Sequence, residues 1–206
     1  MAGQAPHPRR VAVAVLAPPT WTPPGIAAST WREALAEDVL DVLATLAEVE
    51  AAVAVEAAET ALTRRVGWPG LPAYAMTDLT AAALLPALAA DGYHQAVLLP
   101  ADAPDLPAML IAKLLRPLGT RPVAAAPVIG GPGLLGLGVR LPAPAWLPAL
   151  GLDELTVATL REAAPGPGEV AVAPGWHRLR GPADLGRLDW RLAGWEATRA
   201  LLPLST

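Results

Sequence analysis

The chain has no cysteine, no phenylalanine, 3 histidines and only the serines Ser29 and Ser205. Each shortage removes a class of chemistry. Without thiols there is no disulfide, no thiolate nucleophile and no cysteine-held zinc, which fits a reducing compartment and makes a cytoplasmic location the expectation. Neither serine sits in a GxSxG turn, so a serine hydrolase lacks its nucleophile. His7, His94 and His177 show no HExxH spacing, so zinc is not indicated. With phenylalanine absent, core volume must come from leucine and some of the 7 tryptophans, and Trp176, Trp190 and Trp195 read as packing residues rather than a stacking platform. An excess of positive charge is missing as well: 15 Lys plus Arg against 19 Asp plus Glu leave a net charge of -4. Nothing therefore draws nucleic acid or an anionic membrane to the surface.

What remains is apolar and punctuated. Hydrophobic residues make up 53% of 206 positions, with 24 prolines and 18 glycines, which excludes disorder and predicts many fixed turns. No linker or composition shift divides the chain, so residues 1–206 are read as a single domain. The start "MAGQAPHPRRVAVAVLAPPT" imitates a secretory signal, but "VAVAVLA" is short, valine-rich and of period two, as a first strand would be. Uncharged runs cover Val11 to Trp31 and Pro122 to Val139. Prolines break the first, prolines and glycines the second, so neither can keep a helical ladder across a bilayer.

Short Val/Ala/Leu runs alternate with Ala/Leu/Glu stretches of helical length, the signature of an α/β three-layer sandwich on a mostly parallel sheet. Strands are expected at Val11 to Ala17, Ala52 to Glu56, Ala96 to Leu99, Pro122 to Val128, Leu134 to Arg140 and Glu169 to Ala173. The fourth and fifth follow each other through a Gly/Pro turn with no helix between, so they should be antiparallel and the sheet mixed. The clearest helix is Trp31 to Glu50, with Leu35, Val39, Val42, Leu43 and Leu46 on one face and Thr30 as its N-cap. Others are expected near Thr80 to Ala90, Pro107 to Arg116, Asp153 to Ala163 and Pro182 to Leu202.

The segment "IGGPGLLGLGVR" contains GxGxxG at Gly131, Gly133 and Gly136. A dinucleotide site needs those glycines between a strand and a helix N-terminus, whereas here they run into a strand. No Gly-Lys-Ser/Thr follows, so a P-loop is excluded too. The glycines either make a turn or let a ligand approach the backbone. The stretch "LLPADAPDLP" offers a sharper choice. Ligands of α/β sheets collect beyond the carboxyl ends of strands, where Asp102 should lie, and a carboxylate there can hold Mg²⁺ or Mn²⁺ against a phosphate. Alternatively Asp102 shapes the turn and Asp105 N-caps the helix from Leu106, with Pro107 in its first turn.

At these residues the chain resembles a known family. Its order of segments is similar to the glycosyltransferase-A-fold family of nucleotide-diphospho-sugar transferase-like proteins of the radical-SAM/selenodomain-associated type, over nearly the whole length. "PADAPDLP" matches that family's aspartate-rich turn. "IGGPGLLGLG" echoes its Asp-Gly-Gly-Tyr-Tyr-Leu-Leu-Gly-Leu segment, "LRGPADL" its Asp-x-Asp-Thr-Pro-Glu-Asp-Leu pattern through Pro182, Asp184 and Leu185, and "MTDL" its Gly-Asp-Leu-Gly through Asp78 and Leu79. The departures are chemical. The family's Gly-x-x-Lys-Thr-Arg-Leu loop is "APPTWTPPGIAAST" here, the acid of the Gly-Gly motif is Ile129, and the acid before the Thr-Pro pattern is Arg180.

The resemblance implies a nucleotide-dependent glycosyl- or nucleotidyltransferase acting on a small-molecule acceptor. Asp102 and Arg180 are then the candidate catalytic residues, with Asp102 also the candidate ligand for Mg²⁺ or Mn²⁺. Asp78, Asp105, Gly130 and Gly131 are the candidate contacts to a nucleotide or nucleotide-sugar. The lost polar groups keep open the alternative of a non-catalytic relative that binds a ligand or a protein.

Overall fold

A computed structural model describes residues 8–202; His7, Ser205 and the start of the signal-like segment lie outside them. The elements in chain order are β1 (Arg10–Val15), α1 (Ala28–Ala44), β2 (Glu50–Glu56), α2 (Ala61–Val66), β3 (Ala73–Met76), α3 (Ala81–Ala90), β4 (Gln95–Pro100), α4 (Ala108–Leu115), β5 (Val123–Pro127), β6 (Leu134–Arg140), α5 (Val157–Ala163), β7 (Val170–Val172) and α6 (Glu196–Leu201). One seven-stranded sheet joins them in the order β3-β2-β1-β4-β6-β5-β7. Only β6 runs against the rest, antiparallel to both β4 and β5. The expected mixed sheet with an antiparallel β5–β6 pair is therefore present.

The central strands are apolar on both faces because both faces are covered, as parallel strands require. On β1, Ala12 and Ala14 pack with Val39, Leu40 and Leu43 of α1 and Ile111 and Leu114 of α4. Val11, Val13 and Val15 point the other way, onto Leu84, Leu85 and Leu88 of α3 and Leu160 of α5. The period-two alternation thus splits one strand between two cores and makes three layers.

The glycines of β6 belong to this packing. A Cβ on Gly136 would lie 2.6 Å from Leu114 Cδ1 and 3.0 Å from Leu99 Cδ2, and one on Gly138 would lie 3.0 Å from the Leu114 carbonyl. Their bare backbone lets α4 sit close to the sheet, which is a helix-packing use of glycine.

Several boundaries differ from expectation. The helix α1 begins three residues before Trp31 and ends at Ala44, with Ala27 and not Thr30 at its N-cap position. The strand β3 was not anticipated: it is a four-residue edge with alternating exposure. The helix α5 starts at Val157, where Thr156 and Thr159 form a reciprocal capping box. The stretch from Pro182 resolves into a 3₁₀ segment, Pro182–Arg187, and the short α6. Asp105 does not cap α4, whose N-cap position is Pro107.

A third apolar cluster joins Trp31 and Leu35 of α1 to Leu179, Leu188, Trp195 and Leu202. It fastens the C-terminal segment across the carboxyl end of the sheet. Asp38, buried on α1, accepts from the Ala197 and Thr198 N–H groups at 3.0 and 2.8 Å, giving the start of α6 the carboxylate its free N–H groups favour.

Candidate functional site

The strand β4 is buried from Gln95 to Pro100 and delivers Asp102 to the carboxyl end of the sheet. The returning C-terminal segment runs beside it, since Leu179 N–H donates to the Asp102 carbonyl at 2.8 Å. That contact sets Arg178 and Arg180 on either side of Leu179. Arg178 Nη2 donates to Asp102 Oδ2 at 2.9 Å, its Nε donates to Asp102 Oδ1, and its Nη1 reaches Asp153 Oδ1 at 2.5 Å. Arg180 Nη2 donates to the same Asp153 oxygen, its Nη1 donates to the Pro132 carbonyl at 2.9 Å, and its Nε lies 3.7 Å from Asp102 Oδ2.

Two cations and two anions thus interlock, with Asp102 and Arg178 buried and the Asp153 side chain 53% exposed. The planar guanidinium fork suits the two-oxygen grip on Asp102. Burial, and next the Arg178 charge, lower the pKa of Arg180, while Asp102 and Asp153 oppose the shift.

A cleft of about 380 Å³ opens beside the quartet, with Val15, Pro100, Thr80, Leu152, Asp153 and Arg178 in its walls. It lies past the carboxyl ends of β1 and β4 and against the start of α3. A narrower recess sharing part of that wall is lined by Pro18, Thr20, Arg32 and Asp102. Arg32 is itself paired to Glu59 at 2.6 Å and to the Leu16 carbonyl at 2.5 Å. Gly133 supports the arrangement: at φ +88° its missing Cβ would meet the Leu152 and Asp153 carbonyls at 2.9 and 3.0 Å. Only glycine takes that conformation with the Asp153 loop so near.

The anticipated residues divide. Asp102 and Arg180 meet in the quartet, where Asp102 lines the narrower recess and Arg180 reaches the wall of the wider cleft only through Asp153. Gly131 is open, a Cβ there touching only Val128 Cγ1 at 3.6 Å. Gly130, at φ +82°, is covered by the chain's own Arg187, whose guanidinium would lie 2.2 Å from a Cβ and donates to the Ile129 carbonyl at 3.0 Å. Asp78 spends its Oδ1 on the Thr80 N–H and hydroxyl; Thr80, not Asp78, faces the cleft.

Asp105 is fully enclosed. It accepts from Trp176 Nε1 and the Asp189 N–H, each at 3.1 Å, and His177 Nε2 stands 3.0 Å away without the alignment of a hydrogen bond. The carboxylate is a clamp on the C-terminal segment and borders neither recess. Arg178 and Asp153 went unread in the sequence. For Arg178 a signal existed: in the Asp-x-Asp-Thr-Pro-Glu-Asp-Leu pattern the first acid falls on it, as the second falls on Arg180.

No family model matches the chain, and no curated protein does. Solved structures do. A nucleotide-diphospho-sugar-transferase-like protein from Desulfovibrio desulfuricans G20 superposes with a TM-score of 0.63 at 20% identity, over 94% of this chain and 95% of that one. This chain has the nucleotide-diphospho-sugar transferase fold. A 4-diphosphocytidyl-2C-methyl-D-erythritol synthase from Anaerococcus prevotii matches at TM-score 0.58 and 10% identity, over 94% and 96% of the two chains. Glucosyl-3-phosphoglycerate synthase from Mycobacterium tuberculosis, in complex with Mg²⁺ and uridine diphosphate, matches at 0.56 and 17%, over 96% and 81%. At these identities the likeness is one of fold.

The side chains here do not suit a divalent cation. Both Asp102 oxygens face Arg178, with Arg180 beside them, and among the described residues no group of three or more His, Cys, Asp or Glu could hold a metal. Guanidinium charge stands where a cation would have to enter. No helix of the described residues is long and apolar enough to cross a membrane.

Proposed function

We propose that the protein is a nucleotide-dependent glycosyl- or nucleotidyltransferase-type domain that takes the phosphate end of a nucleotide or nucleotide-sugar into the cleft beyond β1 and β4. The observation that carries this reading is the placement of Arg178 and Asp153 in the wall of that cleft, with Arg180 behind them on Asp153, in the fold of nucleotide-diphospho-sugar transferases. Within that fold, the echoed Gly-Gly, Pro-x-Asp-Leu and Asp-Leu segments support the radical-SAM/selenodomain-associated type.

In this reading Asp102 orients Arg178, Arg180 faces the phosphate charge, and Gly131 leaves room beside the ligand. An acceptor hydroxyl attacks the group joined to the nucleotide phosphate; the departing phosphate keeps the electron pair of the broken bond, and the hydroxyl proton passes to that phosphate or to solvent. Fixed guanidinium charge stabilises it with no reorganisation at the moment of transfer. No step passes through a metal.

The test is a thermal-shift screen of nucleoside mono-, di- and triphosphates and nucleotide-sugars against wild type and Arg180→Ala. A ligand at a hundredfold excess over Kd adds about 2.7 kcal/mol of stability, a readable rise in midpoint. A rise in wild type that shrinks in the variant supports the reading, and no rise with any compound at millimolar concentration overturns it. The second reading, a non-catalytic relative, is favoured by the internal matching of every charge in the quartet and by Arg187 over Gly130. A nucleotide that binds without turnover, with any acceptor alcohol or sugar phosphate, selects it.

A further inference from the structure

Two guanidinium groups converge on a single oxygen. Arg178 Nη1 and Arg180 Nη2 both donate to Asp153 Oδ1. The arginines are anchored independently of that contact: Arg178 by both oxygens of Asp102 and by the Leu134 carbonyl at 3.4 Å, Arg180 by the Pro132 carbonyl. Asp153 is not. Its side chain is 53% exposed and lies in the loop between β6 and α5, and among the described residues the two arginines are its only side-chain partners.

The cradle would therefore keep its shape if Asp153 turned away. It would then present two converging charge-assisted donors and one uncompensated positive charge to the cleft. Arg180 Nε stays behind them, buried and 3.7 Å from Asp102 Oδ2. A single anionic oxygen held by paired guanidinium groups is the way a phosphate oxygen is held.

We propose that Arg178 and Arg180 form a metal-independent site for the phosphate of a nucleoside diphosphate, and that Asp153 occupies it as a built-in carboxylate until the ligand displaces it. The proposal rests on the cleft being a nucleotide site. It adds that affinity is held down by competition with Asp153, because only the fraction of molecules with the cradle vacated can bind. Divalent cations are not required, since the positive charge is already in the chain.

Calorimetric titration of inorganic pyrophosphate and of uridine and cytidine diphosphates, in excess EDTA, tests this on wild type, Asp153→Asn, Asp153→Ala and Arg180→Gln. Unfolding midpoints of the free proteins verify that each variant is folded. Either Asp153 variant should bind pyrophosphate and a nucleotide at least about tenfold tighter than wild type, a gain of about 1.4 kcal/mol, and Arg180→Gln should lose binding. Equal affinity with and without Asp153, or binding that appears only with Mg²⁺ or Mn²⁺, overturns the proposal and leaves the nucleotide reading intact. Pyrophosphate binding that tightens without Asp153 while no nucleotide binds supports the anion site and removes the nucleotide reading. No binding of any probe by any variant overturns both.

Discussion

Arg178 lies across Asp102 so that Nε and Nη2 face both carboxylate oxygens, with the Nη2 contact at 2.9 Å. The pair is buried at the carboxyl end of the sheet, where taking either charge from water is costly unless the other is present. Removing the partner should therefore be far worse than removing the pair. Arg178→Met should lower stability by about 3–5 kcal/mol in denaturant unfolding, while the double variant Asp102→Leu with Arg178→Met recovers most of that loss.

Asp105 gives a contrasting expectation. Its oxygens serve Trp176 Nε1 and the Asp189 N–H, both half-buried, so Asp105→Ala strands two donors at about 1 kcal/mol each. Because it touches neither arginine nor Asp153, the folded variant should bind nucleotides as wild type does, whereas Arg180→Ala, which removes a partner of Asp153, should not. Titration of the two variants side by side checks the distinction.

The glycines separate by what surrounds them. Gly136→Ala puts a methyl 2.6 Å from Leu114 and should cost about 1–3 kcal/mol by overpacking. Gly131→Ala meets only a methyl at 3.6 Å and should be nearly neutral for stability. Urea unfolding of both variants decides whether the GxGxxG run is a packing device or a ligand loop.

Burial pushes the Asp38 carboxyl up to about 6 from 3.8, against hydrogen bonds from Thr198 and Ala197 that act to lower it. A raised acid binds more protons folded than unfolded, so its favourable contribution is complete below the unfolded value and is lost as pH climbs through about 6. Wild type should therefore lose stability relative to Asp38→Asn between about pH 4 and pH 7. Guanidinium unfolding of both proteins across that range measures the difference directly.

The readable parts of the sequence were those where one physical demand set the pattern. "VAVAVLA" alternates because β1 is packed on both faces, and the missing helix between Pro127 and Leu134 announced the antiparallel strand. "AYAM" was not readable as β3, since a short edge with one half-exposed face needs little more than any loop. Asp38 hid among the acids of α1 because its reason for burial, the N–H groups of α6, lies about 160 residues away in sequence. Asp102 lies beyond β4 as its place after a buried strand implies, but nothing local in the sequence joins it to Arg178, which is brought there by the Leu179 N–H bond to the Asp102 carbonyl. Asp105 fits the sequence rule for an N-cap, and tertiary contacts to Trp176 and Asp189 overrode it.

The most direct test of the account is a crystal structure of the protein grown with a nucleoside diphosphate in the presence of EDTA. The account predicts diphosphate density within hydrogen-bond reach of Arg178 and Arg180, the Asp153 carboxylate rotated out toward solvent, and Asp102 still gripped by Arg178. A diphosphate bound elsewhere, or one seated in the cleft with Asp153 still holding both arginines, would contradict it.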